Sequence, residues 1–141
     1  VKELTKVDTF LVYVRPIKNP ELSEYIIELT GITQQDIDEK GVSYETALSQ
    51  FSKWCNALPL YSFGGDEYVM RENCKLLDIA FPLESSKFCD VRDVSSLAGI
   101  DTSIYMSSTI PRAFGIEPPQ NAHNALNDAE SILLALQQLK I

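Results

Sequence analysis

The chain has 141 residues, 45% of them apolar and 23% charged, and a formal net charge of −8. That length fits one domain with its own hydrophobic core; no apolar run reaches the roughly 18 residues of a membrane-spanning helix, and no charged-then-apolar leader opens the sequence. The 12 lysines and arginines are scattered, which argues against the basic face that grips long duplex nucleic acid but leaves room for a site that holds a strand end through divalent ions.

The first residues, Val1 to Val7, read as the turn and flank of a hairpin, so upstream sequence is expected. Asp8–Val14 is β-branched and aromatic and reads as a strand. A short helix is expected from Pro20 to about Leu29, ended by Gly31. Thr33 caps a second helix through Lys40, and Gly41 stops it. Ser43–Ala57 has helical spacing behind a Ser-x-x-Thr start. Leu60–Phe63 is a short buried strand, and Gly64-Gly65 turns the chain into a helix from Asp66 to Phe81. Phe88–Val91 reads as a strand, Val94–Gly99 and Ser107–Phe114 as short helices, Pro118-Pro119 as a loop, and Asn124–Leu139 as a final helix with Asn124 as its cap. Strands interleaved with helices imply an α/β sheet, in which ligands sit beyond the carboxyl ends of strands. Asp66, just past Leu60–Phe63, occupies that location.

Three residues stand out chemically. Asp128 shares a helical stripe with Ile132, Ala135 and Leu139, which face a core. A carboxylate there is costly unless paired, and a metal ion is one partner; a first-turn acid stabilised by the helix dipole is the plainer alternative. His123 is the only histidine. Five residues within one helix would set it about 140° from Asp128, so it must precede the helix to share a site. From a loop, an imidazole can take a proton from water near neutral pH; a solvated loop histidine is the alternative. Asp66 is either a helix cap or, if it converges with Asp128, part of an oxygen site for Mg²⁺ or Mn²⁺. Asp36, Asp38 and Glu39 read as a solvated face, Asp93 as a cap, and Phe51, Trp54 and Phe63 as core. Cys55, Cys74 and Cys89 lack metal spacing, which suggests reduced thiols and a cytoplasmic setting.

The segment His123-Asn124-Ala125-Leu126-Asn127-Asp128-Ala129 resembles the third motif, His-x-Ala-x-x-Asp-Ala, of the DEDDh 3′→5′ exonucleases. Phe63-Gly64-Gly65-Asp66 is similar to the second motif. Phe10–Pro16 with Leu29-Thr30-Gly31-Ile32-Thr33 is similar to the family's entry segment, nearest to the RNase T-like and Eri-type subgroup that acts mainly on RNA ends. The resemblance implies an RNase H-like fold with a central mixed β-sheet flanked by helices. It further implies two divalent ions held by four acidic residues, His123 as general base, Asp128 and Asp66 as metal ligands, and Leu29 and Thr30 near the terminal nucleotide.

The family's first motif, Asp-x-Glu, does not occur before Asp8, and Asn127 stands where an acid is common. The sheet is therefore expected to lack its N-terminal strand or strands. Two functional expectations follow. One is a metal-dependent 3′→5′ exonuclease acting on single-stranded RNA or DNA ends, inactive or nearly so in residues 1–141 alone. The other is an exonuclease-like module that has lost catalysis and binds a protein or a strand end.

Overall fold

The computed structural model describes residues 4–120 and 123–139. Helices α1 (Glu24–Thr30), α2 (Gln34–Lys40) and α3 (Tyr44–Cys55) lead into strand β1 (Leu60–Ser62) and helix α4 (Asp66–Leu76). Strand β2 (Phe88–Asp90), α5 (Val91–Leu97) and α6 (Ala125–Leu139) follow, with 3₁₀ turns at Ser85–Lys87, Thr102–Ile104 and Ile110–Phe114. Val1–Val7, expected as a hairpin flank, lies partly outside the described residues.

Local chemistry sets most helix ends. Ser23 Oγ accepts from Ile26 N, so α1 begins at Glu24 rather than Pro20; Gly31, at φ 74°, closes it in the left-handed region. Before that start, Leu22 N donates to Gln34 Oε1 at 2.8 Å, which holds the preceding chain against α2. A reciprocal capping box joins Thr33 and Asp36 at the head of α2. Gly41 then admits a close crossing: a Cβ there would lie 2.4 Å from the Ile37 carbonyl oxygen and 2.7 Å from Arg15 Cγ. Ser43 caps α3 by accepting from Thr46 N. Helix α4 ends at Leu76, short of Phe81, because Asp78 turns left-handed (φ 52°) and Ile79 N bonds back to Cys74 O.

The sheet is smaller than a mixed central sheet. Among the described residues β1 and β2 form one parallel pair, with Leu60 opposite Phe88, Tyr61 opposite Cys89 and Ser62 opposite Asp90. Asp8–Val14, expected as a strand, forms no ladder. Its only bridge is Val14 to Val42, parallel, where Arg15 N donates to Val42 O and Val42 N to Tyr13 O. The segment has strand-forming residues, but a ladder requires a neighbouring edge to take its N–H and C=O groups.

The core lies where α6 packs on the Ile110–Phe114 turn and near α5. Ile110, Val91 and Ala135 are wholly buried, and Ile37, Ala47, Leu48, Cys55 and Cys74 extend the interior beneath α2, α3 and α4. The expected helix at Ser107–Phe114 contracts to a 3₁₀ turn with Pro111 in its first turn and Gly115 (φ 72°) at its end. The expected helix at Val94–Gly99 starts earlier, because Asp90 rather than Asp93 is the cap.

Asp90 ties three pieces together. Its Oδ1 accepts from Arg92 N at 2.9 Å and from Gly64 N at 3.3 Å, and the Arg92 guanidinium grips both carboxylate oxygens, the shortest bond being 2.6 Å. Burial alone would raise its pKa; the hydrogen bonds from the Arg92 side chain and from the Arg92 and Gly64 backbone outweigh it, and the pKa is lowered.

Replacing Asp90 with Ala is expected to cost about 1–2 kcal/mol, the usual worth of an N-cap. Urea unfolding measures it, and hydrogen exchange at the Gly64 amide should quicken. Asp36, held by Lys40 and Thr33, has its pKa lowered from 3.8 to about 2. A depressed acid stabilises the fold above its unfolded pKa and loses that contribution as pH falls through the folded one. Asp36→Asn should therefore melt below the parent protein at neutral pH. The gap should close between pH 3.8 and about 2 in thermal melts.

Candidate active site

β1 delivers the chain into the Phe63-Gly64-Gly65 turn. Gly64 sits at φ 104°, a conformation that side-chain-bearing residues rarely adopt, and its amide is held by Asp90. The turn puts Asp66 at the first helical position of α4, while Gly65 occupies the cap position without a side-chain bond. Asp66 is thus not the helix cap that a Gly-Gly-Asp sequence suggests. Its carboxylate lines a pocket of about 380 Å³ instead. Desolvation at that wall, and then the negative charge of Asp90, push its pKa above the ordinary value. The residue as a whole stays exposed, so water screens part of that repulsion.

The same pocket is walled by α3 through Phe51 and Trp54, by all three residues of β1, and by Leu126, Ala129, Glu130 and Leu133 of α6. These α6 positions fall at i, i+3, i+4 and i+7, one stripe of the helix. Asp66 and the first turns of α6 therefore share one cavity. Asp128 lies about 100° around the helix from Ala129, on the stripe of Ile132 and buried Ala135. Its Oδ1 is covered and has no hydrogen-bond partner. An ionised oxygen in that state is expensive unless a cation or donor meets it.

His123 precedes α6, as the spacing required. It is exposed, in a turn, at φ 67°. Asn124 follows it as the cap, its Oδ1 accepting from Leu126 N at 3.1 Å and Asn127 N at 3.3 Å. Leu29 and Thr30 end α1, half-buried. Thr30 Oγ1 donates to Ile26 O at 2.8 Å and accepts from Ile32 N at 3.1 Å. Neither residue lines the Asp66 pocket.

Asp66 and Asp128 offer the anionic oxygens that Mg²⁺ or Mn²⁺ prefer, and the unpartnered Asp128 Oδ1 fits a cation chemically. They do not make a closed cage: among the described residues no three His, Cys, Asp or Glu side chains come together as a metal-holding group.

Sequence reasoning missed two contributors. Asp90 was passed over for Asp93, although an Asp-x-Arg at the end of β2 carries the signal of a cap with its own counter-ion. Trp54, assigned to the core by its helical period, is 43% exposed. Its indole Nε1 donates to Asp8 Oδ2 at 2.8 Å, and its ring stands 5.4 Å from Phe10, so it forms a pocket wall rather than core.

Comparison with known proteins gives the family. The sequence profile of the RNase T family, described as "Exonuclease", matches residues 1–136. Human "ERI1 exoribonuclease 2" is 49% identical over 35% of this chain and 7% of its own length. Rat "3'-5' exoribonuclease 1" is 25% identical over 89% of the chain and 39% of its own length. The chain thus spans well under half of these relatives. The solved nuclease domain of 3'hExo, a DEDDh family member bound to rAMP, superposes with a TM-score of 0.83 at 23% identity, covering 94% of this chain and 72% of that one. The fold is the RNase H-like one that the resemblance implies, with a smaller sheet among the described residues, and the chain belongs to the DEDDh 3′→5′ exonuclease family, with Eri-type relatives.

Proposed function

We propose that these residues form part of a metal-dependent 3′→5′ exonuclease that hydrolyses phosphodiester bonds at single-stranded RNA or DNA ends. The observation that carries the reading is the family match over residues 1–136, within which Asp66 lines a cavity walled by the first turns of α6, though neither Asp128 nor His123 lines it. RNA is favoured as substrate, since two relatives are named exoribonucleases and a structural neighbour is bound to rAMP.

Asp128 and Asp66 are the proposed ligands of Mg²⁺ or Mn²⁺, two ions in a complete site. A divalent ion held there would neutralise charge that builds on the phosphoryl and leaving oxygens of an in-line displacement. The chain's own residues do the rest. His123, on the turn before α6, takes the proton of the attacking water at an imidazole nitrogen. The Asn124 cap fixes where that turn leaves the helix. Leu29 and Thr30 contact the terminal nucleotide. The cations also offset the acidic surface toward an anionic strand end.

A second reading is a catalytically degenerate module that binds a protein or a strand end. It is favoured by one observation: no three candidate ligands meet among the described residues.

Residues 1–141 alone should show little or no cleavage, because Asp-x-Glu does not occur before Asp8. The deciding assay uses an N-terminally extended polypeptide that includes an Asp-x-Glu strand, Mg²⁺ and a 5′-labelled single strand. Products shortened stepwise from the 3′ end are expected, with about a 10²-fold loss or more in His123→Ala and Asp128→Asn. Cleavage that survives both changes overturns the assignment, and binding without cleavage supports the module. Independently of activity, Mn²⁺ should raise the melting temperature of the parent protein and not of Asp128→Asn.

A further inference from the structure

His123 holds its backbone at φ 67°, in the left-handed region, while its side chain stands exposed. A residue with a side chain keeps that conformation only where its surroundings fix it. An exposed imidazole has no packing to do so. The restraint comes instead from bonds on either side of it along the chain.

On the helix side, Asn124 Oδ1 accepts from Leu126 N and Asn127 N at 3.1 and 3.3 Å, and Asn124 O accepts from Asp128 N at 3.0 Å. On the other side, Asn127 Nδ2 reaches back seven residues and donates to the Gln120 carbonyl oxygen at 2.6 Å. Asn127 thus serves both arms, one through its backbone amide and one through its side chain. It is itself anchored from behind: its carbonyl oxygen accepts from Ser131 Oγ at 2.9 Å, and Ser131 is 1% exposed. A line of bonds therefore runs from the core through Asn127 to the chain ahead of His123.

The chemistry of the donor is specific. The Gln120 carbonyl can only accept. A side-chain amide has two hydrogens to give, whereas an ionised carboxylate has none. The clasp therefore belongs to the asparagine of this chain and not to the motif it resembles, in which an acid is common at this position.

We propose that Asn127 is a positioning residue: its side-chain amide clasps the Gln120 carbonyl and so holds the turn that aims the His123 imidazole. The inference rests on the reading of His123 as general base. A base must lie within about 3 Å of the proton it takes, and a displacement of about 1 Å can cost ~10²-fold in rate. Opening the clasp loosens the turn and slows proton removal, while the groups that hold the strand end stay in place.

The test compares Asn127→Ala with its parent in the N-terminally extended polypeptide, with Mg²⁺ and a 5′-labelled single strand. Alanine favours helix, so α6 is not weakened by the change itself. kcat is expected to fall at least tenfold, with KM and the melting temperature nearly unchanged. Asn127→Gln, which keeps the donor, should recover part of the loss. By NMR relaxation, the order parameter of the His123 amide should drop in Asn127→Ala from about 0.85 to below about 0.6. Parental kcat in Asn127→Ala beside an inactive His123→Ala overturns the proposal and leaves the base assignment standing. Parental kcat in His123→Ala overturns the base assignment, and this proposal with it. A fall in kcat that tracks a fall in melting temperature, and that Gln does not relieve, assigns Asn127 to the fold alone and also overturns it. If the extended parent does not cleave, the order parameter decides, and an unchanged value overturns the proposal.

Discussion

The carboxylate of Asp90 is the fixed point from which the site is built. Ser62 and Asp90 face each other at the end of the parallel pair, and Asp90 then turns its acceptors on the Gly64 amide and on Arg92. The turn that launches Asp66 is thereby locked to the strand opposite. Arg92 makes this arrangement tolerable, because an unpaired carboxylate at a half-buried strand end would be costly, whereas a forked guanidinium offsets that cost. The same charge has a consequence for Asp66. Its carboxylate is pushed toward protonation by burial and then by Asp90. The residue that positions Asp66 also makes its ionised form want a cation.

Helix α6 divides its work by stripe. Leu126, Ala129 and Leu133 face the pocket, while Ala135 and Ser131 sink into the core. Polar groups on the core stripe are otherwise satisfied: Ser131 Oγ bonds to Asn127 O at 2.9 Å and to Ser108 O at 3.5 Å. Asp128 Oδ1 breaks that pattern. Folding alone gives no reason to keep a bare carboxylate oxygen at such a place, since Asn or Ser there could use the same space at lower cost. The proposed cation-binding role of Asp128 would supply the missing partner.

How far the sequence could be read depended on how local each determinant is. Thr33, Ser43, Gly31 and Gly41 act within one turn of chain, and the helix ends they imply appear where expected. Asp8–Val14 has a strand's composition, but a ladder depends on a distant partner, and composition says nothing about which edge lies alongside. Asp90 and Asp93 are both plausible caps by type. Only the pairing of β2 with β1 puts Asp90 at the helix start. Trp54 illustrates the limit of periodicity, which identifies an apolar stripe without saying whether that stripe meets a packed core or an open slot. For the site, the position of His123 before α6 and of Asp66 beyond β1 followed from spacing alone. The failure of Asp66 to cap, and the orphaned oxygen of Asp128, needed the three-dimensional packing.

Among the described residues neither the ligand set nor the sheet is large. In parallel sheets, functional groups gather beyond the carboxyl ends of adjacent strands, so the number of donors a site can assemble scales with the number of strands that end there. Here Asp66 follows the carboxyl end of β1 and lines the pocket walled by α3 and α6.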